Sequence, residues 1–160
     1  MRGTHRSAAR GYRVTGVDFA PTAIELARRN APEIEFVVGD CLALELGSER
    51  FDLAIDNHVL HCLIGRDRGR FLREIARVLR PGGLLFSESM SREGNVDFET
   101  FGFDPTTFIS RNGNRYLVGA AELDAEIAAA GFEIVQRQAR PDLELAMGHH
   151  LMRVARRLPG

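Results

Sequence analysis

Apolar residues along this chain alternate between two patterns: short runs rich in apolar residues, and longer stretches in which they recur every three or four positions. Short apolar-rich runs bounded by turn residues are typical of strands, and the longer spacing is typical of helices that pack on a sheet. The runs predict strands over residues 12–18, 34–38, 51–57, 83–88, 132–136 and 149–154. The longer stretches predict helices over residues 21–30, 66–79 and 120–130, with the tail of an earlier helix over 6–10.

Helices separate most of the predicted strands, and this order determines how the strands pair. Strands joined through a helix are expected to be parallel, because such a crossover packs back on the sheet with one hand. The strands over 132–136 and 149–154 have no helix between them and are expected to pair antiparallel. The predicted fold class is therefore α/β, a doubly wound and mostly parallel sheet with an antiparallel edge.

Composition narrows the classes of function. With 160 residues and a formal net charge of −1, the chain is sized for one domain and gives no overall electrostatic reason to bind nucleic acid or an anionic membrane. All 21 of its positive side chains are arginines, which excludes mechanisms that need a lysine Schiff base. Cys41 and Cys62 are too few for a disulfide framework, and no stretch is long and apolar enough to span a membrane. These features predict a cytoplasmic protein.

Polar residues end several of the predicted strands. Ligands of open α/β sheets bind beyond the carboxyl ends of the strands, so these residues are candidates for a binding site. Asp18 is the strongest candidate, because a carboxylate at a strand tip can accept hydrogen bonds from both hydroxyls of a ribose. The alternative for Asp18 is a cap on the helix that Pro21 begins.

Four segments follow one another along the chain: Val14-Thr15-Gly16-Val17-Asp18-Phe19-Ala20-Pro21, Val38-Gly39-Asp40-Cys41, Phe51-Asp52-Leu53-Ala54-Ile55-Asp56 with Leu60-His61, and Leu79-Arg80-Pro81-Gly82-Gly83. In this order they resemble the successive motifs of class I S-adenosylmethionine-dependent methyltransferases. Their order and spacing resemble the family over residues 11–137. The resemblance implies a Rossmann-like methyltransferase fold, S-adenosyl-L-methionine as cofactor and methyl transfer to a small-molecule acceptor.

The resemblance also implies roles for particular residues. Asp18 would hold the ribose hydroxyls of the cofactor, and Phe19 would lie against its adenine ring. Asp40 would accept a hydrogen bond from the adenine amino group, with the backbone of Cys41 beside it. The methionine end of the cofactor would be lined by Asp56 and Asn57.

The chain departs from the family pattern at its start. Family members begin with a strand that leads into a Gly-x-Gly-x-Gly loop, and only Gly3-Thr4-His5 resembles the far end of that loop. We therefore expect a single methyltransferase-like domain over residues 1–160 that is N-terminally incomplete and lacks the first strand. Residues 91–119 contain five aromatic residues without a regular period, which argues against disorder, and the resemblance implies that they are an insertion covering the substrate.

Three residues are candidates for proton transfer at the methyl acceptor. A sulfonium methyl group is already activated, so the site chiefly aligns a nucleophile and takes its proton. His58 and His61 lie three positions apart beyond a predicted strand, and Glu88 ends a later one. The alternative for each histidine is local packing or hydrogen bonding.

The histidines and cysteines also raise the question of a metal site. His-x-x-His-Cys over residues 58–62 is not a familiar zinc spacing. His149 and His150 would face opposite sides of a strand, so only one of them could reach a given site. We therefore expect no metal.

Two further classes of function stay open. A nicotinamide-dependent oxidoreductase would share Asp18, although the absence of the glycine fingerprint disfavours it. A non-catalytic or truncated methyltransferase-like subunit would borrow its missing strand from a partner, for example within a homodimer. In the leading interpretation the partner is a small-molecule substrate, with no nucleic acid and no membrane.

Overall fold

The computed structural model describes residues 11–141 and 148–160, and this part of the chain contains six strands and three α-helices. The predicted helix tail over 6–10 and the segment Gly3-Thr4-His5 lie outside the described residues. The chain divides into two compact units, Met1–Glu45 and Leu46–Gly160. Within the described residues, no helix has the length and apolar character needed to cross a bilayer.

The first unit contains a strand, a helix and a second strand. β1 (Thr15–Asp18) and β2 (Glu35–Val38) pair in parallel, and α1 (Pro21–Asn30) connects them. Pro21 begins the helix with a preset φ. The buried core of the unit consists of Ile24, Ala27, Ala31, Ile34 and Phe36. The apolar face of the helix therefore packs against the second strand.

A four-stranded sheet forms the centre of the second unit, in the order β3, β4, β6, β5. These strands span Phe51–Asn57 (β3), Leu79–Met90 (β4), Phe132–Pro141 (β5) and His149–Arg157 (β6). β3 and β4 are parallel, whereas β6 is antiparallel to both β4 and β5. The helices of the unit are α2 (Arg66–Val78), α3 (Ala120–Ala129) and a short 3-10 helix over Leu60–Cys62.

The segment Leu79-Arg80-Pro81-Gly82-Gly83 turns the chain from α2 into β4. Pairing with β3 is interrupted here and resumes at Leu84. Gly82 has a φ of +81°, and a Cβ on Gly83 would stand 2.8 Å from the Arg80 carbonyl oxygen. Both glycines are therefore required by the path of the backbone.

Residues 91–119 fold around an apolar cluster of their own. Isolated bridges join Phe103 to Ser110 and Ile109 to Tyr116. The cluster consists of Met90, Phe103 and Leu117, with Val96, Phe98, Phe101 and Phe108 packed against it. The phenylalanines of the segment therefore pack in this cluster.

The predicted α/β class is confirmed, with β1 parallel to β2, β3 parallel to β4 and β5 antiparallel to β6. The bounds of α1 and β3 agree with the prediction, whereas β1 begins three residues later than predicted. β5 continues to Pro141 because its polar second half pairs with β6. The prediction had one antiparallel pair at the edge of the sheet. Because β6 lies between β4 and β5 and is antiparallel to both, the sheet has two such pairs.

Candidate functional site

Asp18 is the last residue of β1 and is half-buried at the carboxyl end of that strand. Its Oδ1 accepts a hydrogen bond of 2.9 Å from the Ala20 backbone N–H, next to the start of α1. Among the described residues, no donor reaches the second oxygen, Oδ2. The contact with Ala20 therefore orients the carboxylate and leaves Oδ2 able to accept a hydrogen bond from a ligand.

The end of β2 lies beside the end of β1 and leads to a second carboxylate. The Gly39 N–H donates to the Asp18 carbonyl oxygen at 3.0 Å. Asp40 follows; it is exposed, and its Oδ1 accepts a hydrogen bond of 2.8 Å from the Leu42 N–H. The ring of Phe19 is also exposed, at 82%. The first unit thus has two carboxylates and an aromatic ring close to its strand ends.

Asp56, near the end of β3, is buried with 2% of its surface exposed. Its Oδ1 accepts hydrogen bonds from the Val59 and Leu60 N–H groups at 2.8 and 3.2 Å. Its Oδ2 accepts a hydrogen bond of 2.6 Å from the Ser87 hydroxyl. Burial raises the pKa of this carboxyl, and these hydrogen bonds only partly offset the effect. Asp56 therefore holds the turn that follows β3, whereas the next residue, Asn57, is exposed.

His58 lies in this turn with a left-handed backbone, φ +69°, which is uncommon for a residue other than glycine. Its N–H donates to the Glu88 carbonyl oxygen at 3.1 Å. Its Nδ1 lies 3.3 Å from Nδ1 of His61, a buried residue of the 3-10 helix. A strained residue that neighbouring strands hold in place is typical of a functional position.

The Glu88 carboxylate on β4 gathers three basic side chains. Its Oε1 lies 3.2 Å from His150 Nδ1, 3.0 Å from Arg140 Nη2 and 4.0 Å from His58 Nε2. His150 and Arg140 face each other in the register of β6 and β5. We call the group of His58, His61, Glu88, Arg140 and His150 the histidine cluster.

The two histidines that follow β3 favour their neutral forms. Burial lowers the pKa of His61 to about 4, and the neighbouring His58 and Arg115 add to the effect. Burial also lowers the pKa of His58, with Glu88 opposing this change and His150 supporting it. At neutral pH each of these two rings therefore has one nitrogen with a lone pair.

Tyr116 joins residues 91–119 to the histidine cluster. Its N–H donates to the His61 carbonyl oxygen at 2.8 Å. The guanidinium of Arg68, a buried residue of α2, lies over the Tyr116 ring at 5.1 Å from its centroid. Arg68 also donates to the Leu60 carbonyl oxygen at 2.7 Å, so one cation ties this segment to the 3-10 helix.

The structure brings the three proton-transfer candidates together in one cluster. Neither Arg140 nor His150 is identified from the sequence, because they lie 52 and 62 residues beyond Glu88 and reach it through strand register. The sequence contains one indication of His150: of the adjacent residues His149 and His150, only one was expected to reach a given site. The predicted cofactor residues divide between the units: Asp18, Phe19, Asp40 and the half-buried Cys41 belong to the first, and Asp56 and Asn57 to the second.

Residues 2–87, more than half of the chain, match the family described as Methyltransferase domain. The phthiotriol/phenolphthiotriol dimycocerosates methyltransferase of Mycobacterium leprae (strain TN) is 44% identical over 73 residues, which are 44% of this chain and 26% of that protein. The ubiquinone biosynthesis O-methyltransferase of Methylobacterium sp. (strain 4-46) is 34% identical over 86 residues, which are 51% of this chain and 34% of that protein. The match thus spans between a quarter and about a third of the length of these curated relatives.

A solved structure with a similar fold is the 1,6-didemethyltoxoflavin-N1-methyltransferase of Burkholderia thailandensis, with bound 1,6-didemethyltoxoflavin and S-adenosylhomocysteine. The two chains are 28% identical and superpose with a TM-score of 0.79, covering 99% of this chain and 67% of that one. The predicted Rossmann-like methyltransferase fold is confirmed by this similarity.

Proposed function

The chain belongs to the class I S-adenosylmethionine-dependent methyltransferases, and we propose that it transfers a methyl group from S-adenosyl-L-methionine to a small-molecule acceptor. The relatives are named for methyl transfer to small molecules, among them 1,6-didemethyltoxoflavin. The observation that carries the proposal is the Asp18 carboxylate, which lies at the end of β1 with one oxygen able to receive a ligand.

The first unit has groups that fit the adenosine part of the cofactor. A ribose has two neighbouring hydroxyls, and Asp18 Oδ2 can accept from them while Oδ1 keeps its bond to Ala20. The exposed ring of Phe19 can stack on adenine. We assign Asp40 to the adenine amino group, with the backbone of Cys41 beside it. When bound, the cofactor supplies an activated methyl group on a sulfonium sulfur.

At the methionine end, the proposal concerns two adjacent residues of β3. Asn57 is exposed, and its amide can offer both a donor and an acceptor to an amino-acid group. Asp56 is a positioning residue. Its carboxylate accepts hydrogen bonds from the Val59 and Leu60 N–H groups and so holds the turn in which His58 lies.

For acceptors that must lose a proton, we assign the base to the histidine cluster. His58 Nε2 lies 4.0 Å from the Glu88 carboxylate, and the His58 side chain is 32% exposed. The acceptor proton would move to His58 Nε2 as the acceptor lone pair bonds to the methyl carbon and the methyl–sulfur bond breaks, which leaves its electron pair on sulfur. Glu88 stabilises the resulting imidazolium, and His61 positions the ring through its contact with Nδ1.

We assign residues 91–119 to a cover over the acceptor. Tyr116 of this segment donates to the His61 backbone, so the segment and the histidine cluster are in direct contact. The aromatic packing of the segment favours an acceptor with an apolar part.

Titration calorimetry with S-adenosylhomocysteine tests the proposal. We expect one binding site per chain and a loss of affinity of about 10- to 100-fold in Asp18→Ala, because hydrogen bonds to a carboxylate are lost. Glu33→Ala removes an exposed carboxylate of the same unit from the turn before β2 and should bind like the wild type.

The same titration distinguishes the alternatives. A wild-type chain that binds reduced nicotinamide dinucleotide in place of S-adenosylhomocysteine would be an oxidoreductase. A chain that binds neither would be a non-catalytic subunit, and either result would refute the proposal.

We further propose a cytoplasmic location, because two cysteines in 160 residues are too few for the disulfide framework of a small secreted protein. The net charge of −1 supports a function without nucleic acid. Homodimer formation stays a prediction that sedimentation analysis can test.

A further inference from the structure

Three side chains of the histidine cluster bring potential ligand atoms together. His58 Nε2, Glu88 Oε1 and His150 Nδ1 all lie within 4.8 Å of one another. Two of these separations are 3.2 Å, from Glu88 to His150, and 4.0 Å, from Glu88 to His58. Two imidazoles and one carboxylate form a donor set that divalent transition metals bind in proteins.

The separations fit the coordination shell of such an ion. Zinc bonds of about 2.1 Å at tetrahedral angles place neighbouring ligand atoms about 3.4 Å apart. The distance from Glu88 to His150 is already close to this value. The distance from Glu88 to His58 exceeds it by about 0.6 Å, which a small rotation of the half-buried His58 ring can remove.

The surrounding structure holds the three side chains in place. Glu88 and His150 lie on the paired strands β4 and β6, and the His58 N–H is bonded to the Glu88 carbonyl oxygen. The second ring nitrogen of His58 contacts His61, as metal-bound imidazoles commonly contact a partner through their other nitrogen. The ligand side chains are 12–32% exposed, so solvent can reach a fourth coordination position.

Arg140 is the group that opposes a metal ion here. Its Nη2 lies 3.0 Å from the same Glu88 oxygen. A guanidinium and a divalent cation repel each other, so they compete for this carboxylate. The Arg140 side chain is 63% exposed and can move into solvent when an ion binds.

Against the expectation from the sequence, which did not bring Glu88 to these histidines, we propose that His58, Glu88 and His150 form a binding site for a divalent transition-metal ion, in competition with Arg140. An ion on His58 Nε2 uses the lone pair that would otherwise accept a proton. Metal loading and proton acceptance at this ring therefore exclude each other. The inference concerns a binding activity beyond methyl transfer and does not depend on it.

Titration of the full chain with Zn²⁺, without an affinity tag and without cofactor, tests the site. We expect one ion per chain and at least a tenfold loss of affinity in His150→Ala. His149→Ala is the matched control, because the His149 ring lies against Gly94 instead of in the cluster, and its affinity should equal that of the wild type. Circular dichroism of each variant verifies the fold.

A gain of affinity provides a second test that loss of structure cannot mimic. Arg140→Ala should bind Zn²⁺ severalfold more tightly, since the competing cation is gone. An unchanged affinity in Arg140→Ala, equal affinities in the two histidine variants, or binding that Cys62→Ser abolishes would each overturn the proposed ligand set. Because the titration contains no S-adenosylhomocysteine, its failure would leave the methyl-transfer proposal standing.

Discussion

Two aspartates at the ends of strands have different surroundings in this protein. Asp18 is half-buried and uses one carboxylate oxygen for the Ala20 N–H, whereas Asp56 is buried and accepts three hydrogen bonds. The difference comes from the residues that follow each strand. After Asp18 the chain enters α1, but after Asp56 it turns back and presents two N–H groups to the carboxylate. A strand-end carboxylate is therefore available to a ligand only where the next turn leaves one oxygen unused.

Gly83→Ala tests the turn into β4 at the level of a single methyl group. The added Cβ would stand 2.8 Å from the Arg80 carbonyl oxygen and 3.3 Å from that of Asp52, and these backbone atoms cannot easily move aside. We expect the free energy of unfolding to fall by about 1–3 kcal/mol in urea denaturation. Gly47→Ala, where a Cβ meets no atom within 4 Å, should change it by less than about 0.5 kcal/mol. Equal losses in both variants would contradict the steric argument.

At the scale of elements, an ion pair between the buried Arg68 and the half-buried Glu126 joins α2 to α3. Arg68 Nε and Nη2 donate to the two Glu126 carboxylate oxygens at 2.8 and 2.7 Å. The Arg68 side chain is 2% exposed, and its Nη1 donates to the Leu60 carbonyl oxygen. A buried guanidinium with partners of this geometry fixes how the elements pack.

Arg68→Met keeps the apolar stem but removes these donors. We expect a loss of about 3 kcal/mol in unfolding free energy, because Glu126 and the Leu60 carbonyl lose their partner. Arg70→Met, which removes an exposed pair with Asp67 at 3.4 Å, is the control and should cost less than about 1 kcal/mol. Similar stability of the two variants in thermal unfolding would show that the pair does not join the helices.

A second polar link connects α3 to β5 and β6. Asp124 accepts hydrogen bonds from Arg137 and Arg153 at 2.7 and 2.5 Å. Burial of Asp124 opposes its ionisation, but the bonds from the two arginines outweigh this effect and lower its pKa. The stabilisation is therefore complete above the unfolded pKa of about 3.9 and is lost as the pH falls through the lower folded pKa.

Asp124→Asn should show this dependence on pH. At neutral pH we expect it to be less stable than the wild type by about 1.5–3 kcal/mol. The difference should close as the pH falls below about 4, because the wild-type carboxyl then becomes protonated. Glu133→Gln, whose pair with Arg156 is exposed at 3.8 Å, should show almost no difference at either pH. If the difference in unfolding free energy between Asp124→Asn and the wild type stayed constant with pH, the ionised Asp124 carboxylate would not be the source of the stabilisation.

At the scale of the whole molecule, the pattern of apolar residues was sufficient to predict the strands and helices in which that pattern is local. α1 and β3 have the predicted bounds because their apolar residues lie at the spacing of one helix face or in one short apolar-rich run. The second half of β5 has no such run, and its residues 137–141 are exposed. This part is a strand because it pairs with β6, and pairing between distant segments leaves no local pattern.

The candidate site could be predicted where its residues are close in the chain or, like Glu88, end a predicted strand. The three-residue spacing of His58 and His61 indicated a shared face, and the structure places their rings 5.0 Å apart. His150 and Arg140 come from strands whose order in the sheet cannot be read from their own residues. Strand order and register, more than residue type, therefore determine the composition of the histidine cluster.

Residues 91–119 pack mainly on their own aromatic and aliphatic side chains, with Met90 of β4 completing the group. Within this segment, Asp104 closes a small loop by accepting hydrogen bonds from the Thr106 and Thr107 N–H groups. Because residues 104–107 are exposed, we expect this loop to tolerate changes of length and sequence. In the proposed function this segment covers the acceptor, so a change at a few surface positions here would alter which acceptor fits, and a protein engineer could graft loops at the same place.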